Sequence, residues 1–129
     1  MRIEANLMRG AGPVAVMRLL SERGEMYGYE LVDALAKRTG GVLDMGQATL
    51  YPMLYNLEAK GLVESRWEEP ADKGAAAGSA PAASRARKYY CLTAKGKTRL
   101  REDVKQWRAL AGAMESLGVI GGATRGALS

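Results

Sequence analysis

Apolar positions recur with a helical period along four stretches of the chain and with a period of two along two others. In the first stretch they follow one another every three residues between Val14 and Leu20, with further apolar residues beside them. This pattern predicts a largely buried helix that begins at Pro13, where a missing backbone donor costs nothing, and ends at Gly24. Residues 1–10 show no clear period and are expected to form a flexible or loosely helical arm.

The second helical stretch opens at Met26-Tyr27-Gly28-Tyr29 and ends at Gly40-Gly41. Leu31 and Leu35 share its inner face, while charged residues take the outer face. A handful of residues separates it from the next helix. That is the spacing of a helix-turn-helix, whose second helix lies in the major groove of DNA.

The third stretch has the clearest ends. Asp44, with Gln47 three residues later, fits a capping box, in which each side chain satisfies a free backbone donor of the first turn. Gly61 fits a left-handed residue just after the helix, with Leu62 placed to touch Leu57 in a Schellman-type end.

Two chemically different faces follow along this third helix. Leu50, Leu54, Leu57 and Gly61 are spaced by four, three and four residues and form an apolar stripe that must be buried. Pro52 interrupts the backbone hydrogen bonds and predicts a local widening near the helix start. The polar residues left to point elsewhere are Gln47, Thr49, Tyr51, Tyr55 and Asn56.

A period of two over 62–68 and again over 87–92 predicts two strands. Residues 69–86 between them are rich in Ala, Gly, Ser and Pro and offer little to bury, so a flexible hairpin tip is expected. Trp67 on the first strand is expected in the core, since tryptophan buries a large area where a strand meets helices. The chain is thus predicted to be mainly α with a small β-hairpin, in the winged helix-turn-helix arrangement.

A last helix is predicted from Ala94, capped by Thr93. It carries a seam of apolar residues with a heptad-like spacing, formed by Leu100, Val104, Trp107, Ala111 and Met114. The seam can pack on its own domain or on the same helix of a second subunit. A homodimer is favoured, because three short helices and a hairpin leave little uncovered core. We therefore expect a winged-helix domain over 1–92, a dimerisation helix over 93–117 and a disordered tail over 118–129.

Composition excludes several classes of protein. The 129 residues include no histidine, so histidine-based catalysis and zinc sites are not expected, and no metal or cofactor is predicted. No nucleophile-base pair or phosphate-binding glycine loop is visible, so the chain is not expected to be an enzyme. The single cysteine, Cys91, is expected to be a buried thiol rather than a redox group. No apolar run could span a bilayer and the start lacks a signal peptide, which predicts a cytoplasmic protein.

Charge is distributed unevenly. Residues 1–70 carry eight Lys/Arg and ten Asp/Glu, a net charge of −2, whereas residues 71–129 carry eleven and four, a net charge of +7. Such asymmetry is typical of a chain that meets a polyanion with one part of its surface. A solvated basic face would give the same count, so charge alone leaves both interpretations open.

The sequence resembles the PadR family of bacterial transcriptional regulators over about residues 7–117. The resemblance implies a winged-helix dimer that binds a pseudo-palindromic operator in double-stranded DNA, usually as a repressor, with the hairpin as the wing. It also allows a planar hydrophobic effector to stack beside Trp107, which is otherwise an interface anchor. The fragments that carry the resemblance are Tyr27-Gly28-Tyr29-Glu30-Leu31, Ala48-Thr49-Leu50-Tyr51-Pro52-Met53-Leu54, Leu57-Glu58-Ala59-Lys60-Gly61-Leu62-Val63, and Arg87-Lys88-Tyr89-Tyr90-Cys91-Leu92-Thr93 with Gly96 and Trp107.

Residue chemistry then suggests a division of roles at the DNA. Gln47 can pair with adenine and Thr49 can reach a base or a phosphate. Phosphates are the expected partners of Tyr27, Tyr51 and Asn56 on the helices and of Lys73, Arg85, Arg87, Lys88, Lys95 and Lys97 in the basic half. Arg87 and Lys88 should matter most, because the strand fixes them. The alternative is a winged helix that binds only an acidic protein partner.

Overall fold

The structure, a computed structural model, describes residues 1–68 and 87–121, which form four helices and a three-stranded sheet. The predicted wing tip, 69–86, and residues 122–129 of the predicted tail lie outside the described residues. The elements are α1 (Ala5–Arg23), β1 (Glu25–Tyr27), α2 (Gly28–Arg38), α3 (Gln47–Ala59), β2 (Val63–Trp67), β3 (Lys88–Leu92) and α4 (Ala94–Ser116).

Helix α1 begins earlier than its sequence pattern predicts. It starts at Ala5, so the expected arm is mostly helical, and Pro13 lies inside the helix instead of at its first position. Met8 is buried in the core and Ile3 packs against it, which anchors the first turns. Tertiary burial therefore sustains a segment whose own apolar period is too short to be recognised.

The stretch from Met26 was predicted to open the second helix, and this is wrong. Glu25–Tyr27 forms strand β1, which pairs with β3 in an antiparallel sheet of order β1-β3-β2. Met26 is buried opposite Tyr90, so the core holds the segment extended. Helix α2 begins only at Gly28.

The two ends of α3 differ in how well the sequence predicted them. The capping box is wrong: α3 starts at Gln47, Gly46 is its N-cap residue, and no side chain caps it. The Schellman end is confirmed. Gly61 has φ 75° and donates to the Glu58 carbonyl at 2.9 Å, and Leu62 donates to the Leu57 carbonyl at 2.9 Å. The helix continues through Pro52, which lies inside it.

The core confirms the three leucines of the stripe predicted on α3, whereas Gly61, predicted to be buried with them, is exposed just past the helix end. Leu50 and Leu54 are fully buried and Leu57 nearly so, beneath α1, α2 and the sheet. Leu100 of α4 belongs to the same core. The capping role of Thr93 is also confirmed, since its side chain accepts from the Gly96 backbone N–H at 3.0 Å.

Trp67 is not in the core, contrary to its prediction, and is 62% exposed. It shares a face of β2 with buried Val63 and with Ser65, which donates to Glu58 of α3 at 2.6 Å. Trp67 lies at the end of the strand, beyond the helices that cover this face. Its closest described cation is Lys88, whose Nζ lies 5.7 Å from the ring centroid.

Cys91 lies half-buried on the opposite face of the sheet, paired in register with Glu25 and Glu64. Burial, and then the two nearby carboxylates, raise the pKa of the thiol. A raised pKa lowers the thiolate fraction, which disfavours a redox role. Within residues 1–68 and 87–121, no helix is both long and apolar enough to cross a bilayer.

Candidate nucleic-acid interface

Helix α3 presents to solvent a stripe that lies opposite its buried leucines. Ala48, Pro52, Tyr55 and Ala59 follow at intervals of four, three and four residues, the same intervals as the buried stripe but on the far side. All four residues are exposed, and Tyr55 is exposed by 72%. We call these four residues the outer ridge of α3. None of them carries a charge.

The polar residues predicted to contact DNA lie on the two flanks of this ridge. Thr49 and Asn56 are exposed on the flank that faces α1 and α4. Tyr51 is on the other flank, where its ring packs over Gly28 at the start of α2 so closely that a Cβ there would overlap it. Gln47 is exposed in the first turn.

Tyr55 was named among the polar residues of the helix but not among the predicted contacts. The sequence feature that indicates the position of Tyr55 is its spacing, three residues after Pro52 and one residue after buried Leu54. Residue type alone does not separate Tyr55 from the other polar residues of the helix, because its place on the ridge depends on which way each helix face points.

A groove of about 840 Å³ separates the first half of α1 from α3 and α4. Arg2, Arg9, Lys60 and Arg99 are among the residues that line it, together with Asp44 and Asp103. Asp103 forms an ion pair with Arg99 at 3.0 Å. The groove therefore gives one side of α3 a mainly basic border.

The wing strand β3 directs its two predicted phosphate contacts to opposite faces. Lys88 lies on the face that packs on the helices, 5.8 Å from the ring of Tyr90. Arg87 precedes it on the outer face, 4.6 Å from the ring of Tyr27 and 4.0 Å from the Glu68 carboxylate. The alternation of side chains along a strand explains this separation. The two cations cannot share one phosphate.

Tyr27 lies within an aromatic and basic cluster on the outer face of the sheet. Its ring meets that of Tyr89 edge-on at 5.6 Å, and Arg66 lies 5.0 Å from the Tyr89 ring. Arg66 is held in turn by Glu25, through two hydrogen bonds of 2.8 and 2.7 Å. A hydrogen bond that the Arg87 guanidinium donates to Tyr89 is the main cause that raises the pKa of Arg87, which stays charged. The structure thus brings Tyr27 and Arg87 together, while Arg85 lies outside the described residues.

The predicted dimer seam of α4 is divided by the structure. Leu100 is a core residue of its own chain, and Val104 packs against that core. Of the two alternatives for the seam, these two residues therefore follow packing on their own domain. Beyond them, Trp107 is 40% exposed at the rim of the groove, Ala111 is exposed, and Met114 is half-buried. The second half of the helix therefore carries the apolar surface that remains open.

No described side chains form a metal site: within residues 1–68 and 87–121, no three His, Cys, Asp or Glu side chains come together to hold an ion.

Comparison with known proteins places this arrangement among transcriptional regulators. The family described as "Transcriptional regulator PadR-like family" matches residues 16–102. A Lysinibacillus sphaericus protein described as "Uncharacterized protein X" is 31% identical over 105 residues, which are 81% of this chain and 85% of that protein.

Solved structures share the fold. A PadR family transcriptional regulator from Eggerthella lenta is 34% identical with a TM-score of 0.68, over 87% of this chain and 85% of that one. A transcriptional regulator from Clostridium thermocellum has a TM-score of 0.72 over 88% and 96% of the two chains. At 23% identity, the second structure supports the fold alone.

Proposed function

The chain belongs to the PadR-like family of transcriptional regulators, and we propose that it is a cytoplasmic repressor that binds a pseudo-palindromic operator as a homodimer. The observation that carries this proposal is the outer ridge of α3, an uncharged and exposed helix face with a mainly basic groove along one side. Such a face can enter a major groove without electrostatic repulsion, while its borders meet the phosphates. Repression then needs only that the bound protein cover DNA that polymerase must reach.

We assign recognition of the DNA sequence and affinity for the DNA backbone to different parts of the protein surface. Helix α3 and the residue that caps its end carry one carboxylate and one amine. The Glu58 carboxylate accepts a hydrogen bond from Ser65, and Lys60 lies at the helix end. The basic residues of the wing and of the start of α4 supply the phosphate contacts. Neutralising phosphates releases counterions, so affinity should fall steeply with salt.

Dimerisation is supported by the apolar surface on the second half of α4. Trp107 and Leu110 are 40% and 45% exposed, and Leu117 is 76% exposed, just past the helix end. An exposed apolar strip of this kind favours a second copy of the same helix as its partner. Two copies related by a two-fold axis would present two α3 helices to one face of the DNA.

We further propose that a planar hydrophobic effector stacks on Trp107 at the rim of the groove. A Trp67→Phe variant leaves Trp107 as the single tryptophan, and its emission should be quenched by flat aromatic compounds. In Trp107→Ala, the remaining Trp67 emission should not respond, while size-exclusion chromatography still shows a dimer because Leu110 and Leu117 keep the rest of the exposed apolar strip. Equal quenching in both variants would contradict this site.

The alternative function is a winged-helix module that binds an acidic protein partner through its basic surface. The uncharged ridge favours DNA, because a helix face without charge can enter the groove between two rows of phosphates, whereas an acidic partner would be held mainly by the basic borders.

Selection of bound sites from random duplex DNA tests the proposal. We expect a two-fold symmetric consensus whose half-sites lie about one helical turn, roughly 10 base pairs, apart. The selection should be run at low salt, where phosphate contacts are strongest. Failure to enrich any sequence, or to shift any duplex even there, would overturn DNA binding and favour the alternative function.

A further inference from the structure

The outer ridge of α3 is unusual for a solvent-exposed helix face because it offers almost no hydrogen-bonding groups. Of Ala48, Pro52, Tyr55 and Ala59, only Tyr55 has a polar atom in its side chain, and all four are exposed. A helix that merely faced water would carry charged or polar residues there. Ala48 and Pro52 also border the groove towards α1 and α4, and Tyr55 is 72% exposed, so the ridge is open to solvent and its apolar character points to a ligand.

The position of the ridge identifies the ligand as duplex DNA. Lys60 ends the helix, and Lys95 at the start of α4 approaches to 3.8 Å of where a side chain on Gly61 would begin. Lys88 lies on the sheet face that packs against α3. Glu58, the single acid within α3, is turned to Ser65 instead of the ridge. An apolar strip with cations on its borders fits the floor and the phosphate walls of a major groove.

Hydrogen-bonding residues of α3 are displaced to the flanks. Thr49 and Asn56 face the groove shared with α1 and α4, and Tyr51 packs over Gly28. These side chains can therefore contact only base pairs towards the ends of a half-site, whereas the ridge lies over its central base pairs. The centre therefore meets a mainly apolar surface, in which the Tyr55 hydroxyl is the one polar side-chain group.

In the major groove, the apolar group that distinguishes one base from the others is the C5 methyl of thymine. We propose that Pro52 and Tyr55, with Ala48 beside them, determine operator specificity by contacting thymine methyl groups in the middle of each half-site. Proline and tyrosine suit this role, since a rigid ring and a two-torsion side chain lose little conformational freedom on contact. This inference rests on the proposed DNA-binding function.

Replacement of single thymines by deoxyuridine in the selected operator tests the inference, because it removes the methyl group and leaves every hydrogen-bonding atom. We expect affinity to fall about four-fold for each contacted methyl, the value for one buried methyl-sized group. The effect should occur at one or two thymines of each half-site. Thymines outside the half-sites serve as the control and should tolerate the change.

Two variants connect the effect to the ridge. In Tyr55→Ala, the ratio of affinities for the thymine and deoxyuridine operators should fall toward one at the affected position, with an unchanged melting temperature because the side chain is exposed. Gln47→Ala, at the first turn, should weaken binding but keep that ratio. Tight binding with no preference for thymine at any half-site position would overturn the inference and leave the proposed function intact. Failure to bind any duplex would instead overturn the proposed function.

Discussion

Gly96→Ala is expected to destabilise the protein by about 3 kcal/mol, the upper end for overpacking a rigid site. Gly96 is a buried residue in the first turn of α4, and a Cβ there would overlap the Leu62 backbone carbonyl. The carbonyl cannot move away, because it also accepts from the Thr93 backbone N–H at 3.1 Å. Urea denaturation followed by circular dichroism at matched protein concentration would measure the loss.

Gly112→Ala is the matched control, since it makes the same chemical change in the same helix. No atom lies within 4 Å of a Cβ at this position. Alanine is the better helix former, so this variant should be more stable by up to about 1 kcal/mol. If both variants were equally stable, the close approach of α4 to Leu62 would be contradicted.

The contact at Gly96 matters for the proposed function because it joins α3, the proposed DNA-reading helix, to the proposed dimerisation helix. Thr93 donates from its hydroxyl to the Gly61 carbonyl at 2.6 Å, and its backbone N–H donates to Leu62. Gly61 and Leu62 themselves close the end of α3. The end of α3 and the start of α4 therefore form one rigid corner, which fixes the orientation of α3 relative to any partner subunit.

The sequence predicted the elements whose local signals agree with their packing. The α3 leucine stripe, the Schellman end at Gly61, the Thr93 cap and the two wing strands each combine a clear period with a suitable terminal residue. In these segments the local preference and the tertiary contacts favour the same conformation.

The errors arose where distant residues decide the local conformation. Strand β1 is three residues long, too short to show a period, and exists because β3 pairs with it. The first turns of α1 depend on the burial of Met8. Asp44 has the right spacing for a capping box, but the helix begins at Gln47, so the side chain stands two residues before the N-cap Gly46.

For the candidate site, the sequence indicates the chemistry of the side chains but not their directions. A residue type indicates what a side chain can bond to, so Gln47, Thr49 and Asn56 were singled out. The direction of a side chain depends on the packing of the whole helix. Residue types alone therefore do not predict the ridge around Tyr55. Trp67 shows the same limit, because β2 extends past the helices that would have covered it.

Lys88→Ala is expected to reduce the salt dependence of operator binding by about 0.9 in the slope of log K against log salt, which is the loss of one phosphate contact. That change corresponds to roughly eight-fold weaker binding at 0.1 M salt. Lys88 lies on the sheet face that packs on the helices, and no described carboxylate is within 4 Å of its amine. Fluorescence anisotropy titrations of the selected operator at several salt concentrations would give the slope.

Arg87→Ala should change the slope less than Lys88→Ala, although both remove one positive charge from the same strand. Glu68 partly neutralises Arg87, and the ring of Tyr27 holds its guanidinium on the outer face. Lys105→Ala is the control for net charge, because Lys105 is an exposed residue of α4 that is paired with Glu102 at 3.4 Å. Its slope should match that of the unmodified protein. The double variant of Arg87 and Lys88 could instead keep the full slope of log K against log salt. The phosphate contacts would then lie elsewhere in the basic half of the chain, and the wing strand would orient α3 without supplying affinity.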